Sequence, residues 1–225
     1  MVQSEPLEMV IVFDLDDTLY KEIDYQISGF NAVCNWINDV YGFSLWAELE
    51  RLIQLKVQDV LGGLCDAAGL QPSVKETLLW VYRLHLPLIQ LSPGVDAFLN
   101  ELEANCQAAI LTDGRAVSQR LKLKSLGLSH LPAYISEDYC SEKPAPDRFK
   151  LIMREMPAMR YVYVGDNLKK DFLAPNELGW SSICLRDNGK NIHKQIFEKE
   201  INSQAPKFWI DNFFELKGII AHESV

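Results

Sequence analysis

The apolar run Met9-Val-Ile-Val-Phe13 breaks without transition into the acidic cluster Asp14-Leu-Asp-Asp-Thr18. A run of bulky and β-branched residues with no polar alternation is the pattern of a strand buried on both faces, and parallel sheets with helices on each side meet that condition. Shorter runs of the same kind follow at Gln107-Ala-Ala-Ile-Leu111, Ala133-Tyr-Ile135, Tyr161-Val-Tyr-Val164, Ser182-Ile-Cys-Leu185 and Phe208-Trp-Ile210. Helical patterns separate them: from Ser92-Pro93 to about Ala104, from Val117 to Leu126 before Gly127, from Pro144-Ala-Pro146 through Met153, and from Phe213 to Ala221. Strands alternating with helices predict an α/β fold, a three-layer α/β/α Rossmann-like core with a parallel sheet and right-handed crossovers.

The stretch from about Ile23 to Leu91 has no convincing strand. Ile27, Phe30, Val33, Cys34 and Ile37 form one helical stripe, and Leu49, Leu52, Ile53, Val57 and Val60 another. Gly62-Gly63, Gly69 and Pro72 punctuate it, and a third helix is expected from Ser73 to His85. With 225 residues, 48% of them hydrophobic, the chain has enough material for a full domain plus an insertion. The expected division is a core of residues 1–21 and 92–225 and an all-helical domain of residues 22–91.

Parallel sheets bind ligands beyond the carboxyl ends of their strands. That rule gathers Asp14 and Asp16, Thr112 and Asp113, and Asp166 and Asn167 along one sheet edge. Carboxylates converging from separate strands repel one another and call for a hard cation bound by oxygen, for which magnesium is suited. Such an ion, bridged by Asp14 and Asp166, removes the repulsion between a carboxylate nucleophile and a phosphate monoester. Asp16 lies two residues beyond Asp14, on the same side of an extended segment, and is placed to move protons. Thr112 and the amides around Asp113-Gly114 can cradle phosphoryl oxygens, and Lys143 supplies a point positive charge.

Phe13-Asp-Leu-Asp-Asp-Thr-Leu19 resembles the first signature of the haloacid dehalogenase-like superfamily, and Ile110-Leu-Thr-Asp-Gly114 the second. Ser141-Glu-Lys-Pro144 with Arg148-Phe149 resembles the third, and Val164-Gly-Asp-Asn-Leu-Lys-Lys-Asp171 the fourth. The order is the family's, and the match runs from about Val10 to Leu216. The resemblance implies Asp14 as nucleophile, Asp16 as acid and base, and Asp14, the backbone carbonyl of Asp16 and Asp166 as holders of Mg2+. It places Leu15, Asp16, Thr112, Asp113, Gly114 and Lys143 around the substrate phosphate, with Asn167 and Asp171 behind the metal. Asp113 departs from the asparagine of many relatives. Residues 22–91 stand where the family carries a helical cap.

The implied function is a magnesium-dependent phosphatase that hydrolyses a small phosphorylated metabolite, whether sugar phosphate, nucleotide or phospho-acid, through an aspartyl-phosphate. A phosphomutase would use the same residues. A haloacid dehalogenase needs neither Asp16 nor magnesium, and a non-catalytic binding protein would not need the intact set of Asp14, Asp16, Lys143 and Asp166.

The remaining features have plainer readings. A net charge of -9 and a pI of about 5.0 argue against nucleic-acid or acidic-membrane partners. The five cysteines form no metal-binding spacing and read as thiols of a reducing cytosol. The N-terminal residues lack a signal-peptide pattern, and the chain is expected in the cytoplasm, as a monomer or homodimer. Lys56, Lys169, Lys170 and the four histidines are left out of the site. Trp36, Phe43, Trp46, Trp80 and Tyr82 are expected to fill the core of the helical block.

Overall fold

The computed structural model describes residues 7–102, 106–196 and 205–222. Strand β1 (Leu7–Phe13) forms at the first apolar run. Its residues divide by parity: Met9, Ile11 and Phe13 enter one buried cluster and Val10 and Val12 another, so both faces are covered.

After β1 the chain builds four helices: α1 (Glu22–Tyr41), α2 (Trp46–Gln54), α3 (Val60–Ala67) and α4 (Val74–Leu84). They pack around their own core of Val33, Cys34, Ile37, Leu49, Leu52, Leu61, Leu64 and Leu78. Two expectations need correction here. The stripe from Leu49 to Val60 is not one helix: α2 stops at Gln54, and Lys56 takes a positive φ of 52° before α3 begins. Gly62-Gly63 lies inside α3 because Asp59 caps the Gly62 amide at 3.0 Å and the bare Gly63 admits the Leu52 side chain. Phe43, Trp46 and Trp80 are exposed instead of buried, since aliphatic residues already occupy the inward positions of these short helices; Trp36 and Tyr82 do pack against the cluster.

The chain then returns through α5 (Val95–Asn100), β2 (Cys106–Thr112), α6 (Ala116–Ser125), β3 (Ala133–Ile135) and α7 (Ser136–Tyr139). It continues with α8 (Asp147–Glu155), β4 (Ala158–Gly165), α9 (Leu173–Glu177), β5 (Ser181–Leu185) and β6 (Phe208–Ile210). A 3-10 turn over Phe213–Glu215 leads into α10 (Leu216–His222). The helix expected from Ser92 starts only at Val95, after Gly94 at φ 89°, and ends at Asn100; Ala104 lies outside the described residues.

The six strands are parallel, in the order β3-β2-β1-β4-β5-β6. Val95, Phe98, Leu123, Phe213, Leu216 and Ile220 cover one face, and Phe149, Ile152 and Ala174 the other. From β1 the chain moves outward through β2 and β3, then crosses to β4 on the far side of β1. Connections diverging from adjacent strands leave a crevice at their carboxyl ends. Phe13 pairs with Ile110 and with Val164, so Asp14, Thr112 and Asp166 leave the sheet at nearly one level. Among the described residues, no helix is long and apolar enough to cross a membrane.

Candidate active site

Asp14 continues β1 by one residue and donates its amide to Val164 O at 2.8 Å, which carries the sheet pairing to the crevice floor. Its carboxylate accepts a 2.7 Å hydrogen bond from Lys143 Nζ. The same ammonium donates to Asp171 Oδ1 at 2.7 Å and to Tyr163 Oη at 3.1 Å. Lys143 is thus buried between two carboxylates, and its pKa rises well above the usual lysine range: burial opposes the charge, but Asp14 and Asp171 outweigh it. Asp171 has no exposed surface, and its second oxygen accepts from the amides of Asp166 (3.1 Å) and Asn167 (2.7 Å). Gly165 makes that approach feasible, because a Cβ there would lie 2.5 Å from Asp171 Oδ2.

Asp166, at the end of β4, accepts from Thr18 Oγ1 at 3.3 Å and from Asn191 Nδ2 at 2.9 Å. Carboxylate oxygens of Asp14, Asp166 and Asp171 all lie within 4.8 Å of one another. Burial pushes Asp14 up to about 7, Lys143 pulling against it and Asp171 adding to it. Burial, then Asp171 and Asp14, raise Asp166 well above the carboxylate range. Three buried carboxylates so close together oppose one another's charge, and their all-oxygen donors fit a hard divalent ion. Asp171 is taken up by the Lys143 ammonium, the Tyr163 hydroxyl and two backbone amides, whereas Asp166 meets the neutral side chains of Thr18 and Asn191 and Asp14 meets Lys143 through Oδ1, so Asp14 and Asp166 are the carboxylates better able to hold an ion.

Asp16 turns toward α6. Lys122 Nζ donates to Oδ1 at 2.7 Å and Gln119 Nε2 to Oδ2 at 2.9 Å, and Tyr20 Oη also donates to Oδ1. Burial opposes its charge, yet Lys122, Tyr20 and Gln119 together hold its pKa below the usual range. Asp16 is therefore held ionised in this arrangement.

Thr112 ends β2, with Oγ1 accepting from Gln119 Nε2 at 2.7 Å. The Asp113 carboxylate is taken up by protein donors: it accepts from the Arg148 guanidinium and, at 3.2 Å, from the Lys143 amide, with Lys170 3.5 Å away. Arg148, 1% exposed, also donates to the carbonyls of Thr112 (2.8 Å) and Tyr134 (3.0 Å), fixing the ends of β2 and β3. The Arg148 guanidinium thus offsets the charge of Asp113. The Gly114 amide donates to Ser136 Oγ at 2.9 Å, so the Asp113 amide is the remaining candidate donor in that loop. Leu15 is wholly buried, offering only its backbone, and Asn167 lines the cleft with its amide on Asp171. The cleft, about 300 Å3, is lined by Asp14, Asp16, Thr112, Lys143 and Asp166 together with Glu22 and His193.

Residues 11–185 match the family model described as haloacid dehalogenase-like hydrolase. The chain belongs to this family of hydrolases. A glyceraldehyde 3-phosphate phosphatase of Methanopyrus kandleri is 29% identical over 227 residues, covering 93% of this chain and 96% of the relative. Among solved structures, the 2-haloacid dehalogenase of Pseudomonas syringae superposes with a TM-score of 0.65 at 22% identity, covering 96% of this chain and 100% of that one. A HAD-type hydrolase of Bacillus subtilis, solved bound to magnesium, gives 0.65 at 16% identity, covering 95% and 99%. At these identities the two structures share the fold.

Within this haloacid dehalogenase-like hydrolase, sequence reasoning missed Tyr20, Gln119, Lys122, Glu22 and Asn191. Gln119 and Lys122 sit one helical turn apart on the buried face of α6, beside Leu123 and Leu126. Polar residues at helical spacing inside an otherwise apolar stripe are the signal that marks them. Asn191 belongs to a loop that Asp187 folds by accepting from the amides of Gly189, Lys190 and Asn191 at 2.7, 3.0 and 3.0 Å. Asp-Asn-Gly is a turn signal, but nothing local says where the turn docks.

Proposed function

We propose that the protein is a magnesium-dependent phosphatase that releases phosphate from a small phosphorylated metabolite through a phosphoryl group carried on Asp14. The observation that carries this reading is the Asp14 carboxylate, held at 2.7 Å by Lys143 at the switch point of the sheet, beside Asp166. Lys143 holds Asp14 in line and offsets the charge that develops on the transferring group. Thr112 Oγ1 and the Asp113 amide orient the phosphoryl oxygens. Asp16, kept ionised by Lys122, accepts a proton from the water that attacks the aspartyl-phosphate and carries it for the leaving oxygen of the next cycle. Asp14, Asp166 and the backbone carbonyl of Asp16 would hold Mg2+, which when bound screens nucleophile from phosphate. Asn167 and Asp171 support that set from behind.

We assign residues 22–91 as a cap over the cleft and the rest of the chain as the core. α4 meets α6 there, with Ser118 Oγ donating to Arg83 O at 3.2 Å. Closure of such a cap excludes water while Asp14 is phosphorylated. The test is phosphate release from a panel of sugar phosphates, nucleotides and phospho-acids, headed by glyceraldehyde 3-phosphate, with magnesium present or chelated. Release is expected with magnesium only, and Asp14→Asn is expected to abolish it. Full turnover by Asp14→Asn would remove Asp14 from the chemistry.

A further inference from the structure

We infer that Glu22 and the acidic wall around it select the leaving group, so that the cleft takes phosphate monoesters with an uncharged, hydroxyl-bearing leaving group and turns away those carrying a carboxylate. This inference rests on the phosphatase reading and narrows its substrate class.

Seven carboxylates line the cleft, from Asp14, Asp16, Asp17, Glu22, Asp113, Glu142 and Asp166, against two lysines, Lys143 and Lys170. The cations at and beside it have partners, the half-exposed Lys170 the weakest of them at 3.5 Å from Asp113. Lys143 bridges Asp14 and Asp171, Lys170 faces Asp113, and Lys122 is paired with Asp16 at 2.7 Å. Lys21 Nζ donates to Asn191 Oδ1 at 2.6 Å, and Arg148 holds Asp113. His193 lines the cleft from an exposed position. A substrate phosphate has Lys143 and the candidate metal position to meet it, whereas a second anion on the leaving group finds no unengaged lysine or arginine among the described lining residues.

Glu22 is the first residue of α1 and stands where the helical block meets the site. Asp17 Oδ1 accepts its amide at 3.0 Å, and Asp17 itself is fixed by the Ile192 amide at 2.8 Å, which anchors the backbone at the rim. Among the described residues, no protein donor reaches the Glu22 carboxylate, which is half-buried. Burial, then the nearby charge of Asp16, pushes its pKa up to about 8. Burial and the charge of Asp16, which together outweigh the pull of Lys122 on Glu22, oppose a substrate carboxylate beside it as well. A hydroxyl group, by contrast, donates to Glu22 when it is ionised and can either donate to it or accept from it when it is protonated. The volume, about 300 Å3, is at the small end of ligand pockets and suits a leaving group of a few carbons.

The experiment compares kcat/KM for glycerol 3-phosphate and 3-phosphoglycerate, three-carbon esters that differ in the leaving-group carboxylate, with p-nitrophenyl phosphate as a reference ester. At pH about 8.5 the wild-type enzyme is expected to favour glycerol 3-phosphate by at least about tenfold. Glu22→Lys is expected to narrow that ratio at least about tenfold. Where that variant does not fold, the isosteric Glu22→Gln carries the same expectation at about threefold. Equal kcat/KM for the two esters in the wild type, or a ratio unmoved by the substitution, overturns the inference while p-nitrophenyl phosphate hydrolysis leaves the phosphatase reading standing. Magnesium-supplemented enzyme that hydrolyses none of the three overturns the phosphatase reading and this inference with it.

Discussion

Lys143 has a structural part that needs no substrate. Its ammonium separates two buried carboxylates, Asp14 and Asp171, that would otherwise face each other unpaired. Removing one partner of such a buried set costs about 3–5 kcal/mol, because uncompensated charge remains in a poorly solvated place. Lys143→Met is therefore expected to lose about that much stability in urea titration and to lower kcat by about 10²–10³; a variant that keeps more than a tenth of its turnover would take Lys143 out of the machinery. The neighbouring Gly165→Ala is expected to cost about 1–3 kcal/mol and to reduce turnover, since its Cβ must displace Asp171 and with it the seat of Lys143. Glu22 gives a pH signature. Its pKa is raised from 4.5 to about 8, so the folded protein holds a proton that the unfolded chain gives up. The contribution of Glu22 to stability is thus fullest below about 4.5 and declines as pH rises through about 8. Urea midpoints of Glu22→Gln relative to wild type are expected to improve progressively over that window; a pH-independent difference would mean that Glu22 titrates normally. Asp14, Asp16, Lys143 and Asp166 were legible in the sequence because each follows a strand or sits in a short motif. Gln119 and Lys122 were not, since only the packing of α6 brings them to Asp16.

At the scale of elements, the helical block shows how little local pattern says about close approaches. Gly62-Gly63 looks like a break in sequence but lies within α3, because the missing side chains are used: Leu52 packs against Gly63. Gly29 plays the same part between α1 and α4, where a Cβ would run into the Tyr82 ring. Gly29→Val is expected to destabilise by about 1–3 kcal/mol through overpacking. In a double-mutant cycle with Tyr82→Leu the two costs are expected to be clearly less than additive, because the smaller side chain vacates the contested space. Strict additivity would show that α1 and α4 do not meet there. The exposed Phe43, Trp46 and Trp80 teach a related point: hydrophobicity alone does not choose between the inner and outer faces of short helices when aliphatic residues already fill the interior.

At the scale of the whole molecule, binding at the acidic cluster should feed back on stability. An ion that binds only the folded state adds about 2.7 kcal/mol at a concentration one hundred times its Kd. Magnesium is expected to raise the Tm of the wild-type protein in calorimetry, and Asp166→Asn to abolish the rise; an equal rise in both would place the ion elsewhere. The sequence by itself determined the alternation of strands and helices, the acidic ends of the first and fourth predicted strands, and the order of the four motifs. These are matters of hydrophobic period and chain neighbourhood, which a linear pattern records directly. Only the tertiary structure decided the pairing of charges: Lys122 with Asp16 across 106 residues, Lys143 with Asp14 across 129, Arg148 with Asp113 across 35. Such partners are chosen by which faces meet when the sheet and its helices pack, and because a buried charge requires a counter-charge at hydrogen-bonding distance, that choice depends on geometry that no run of adjacent residues contains.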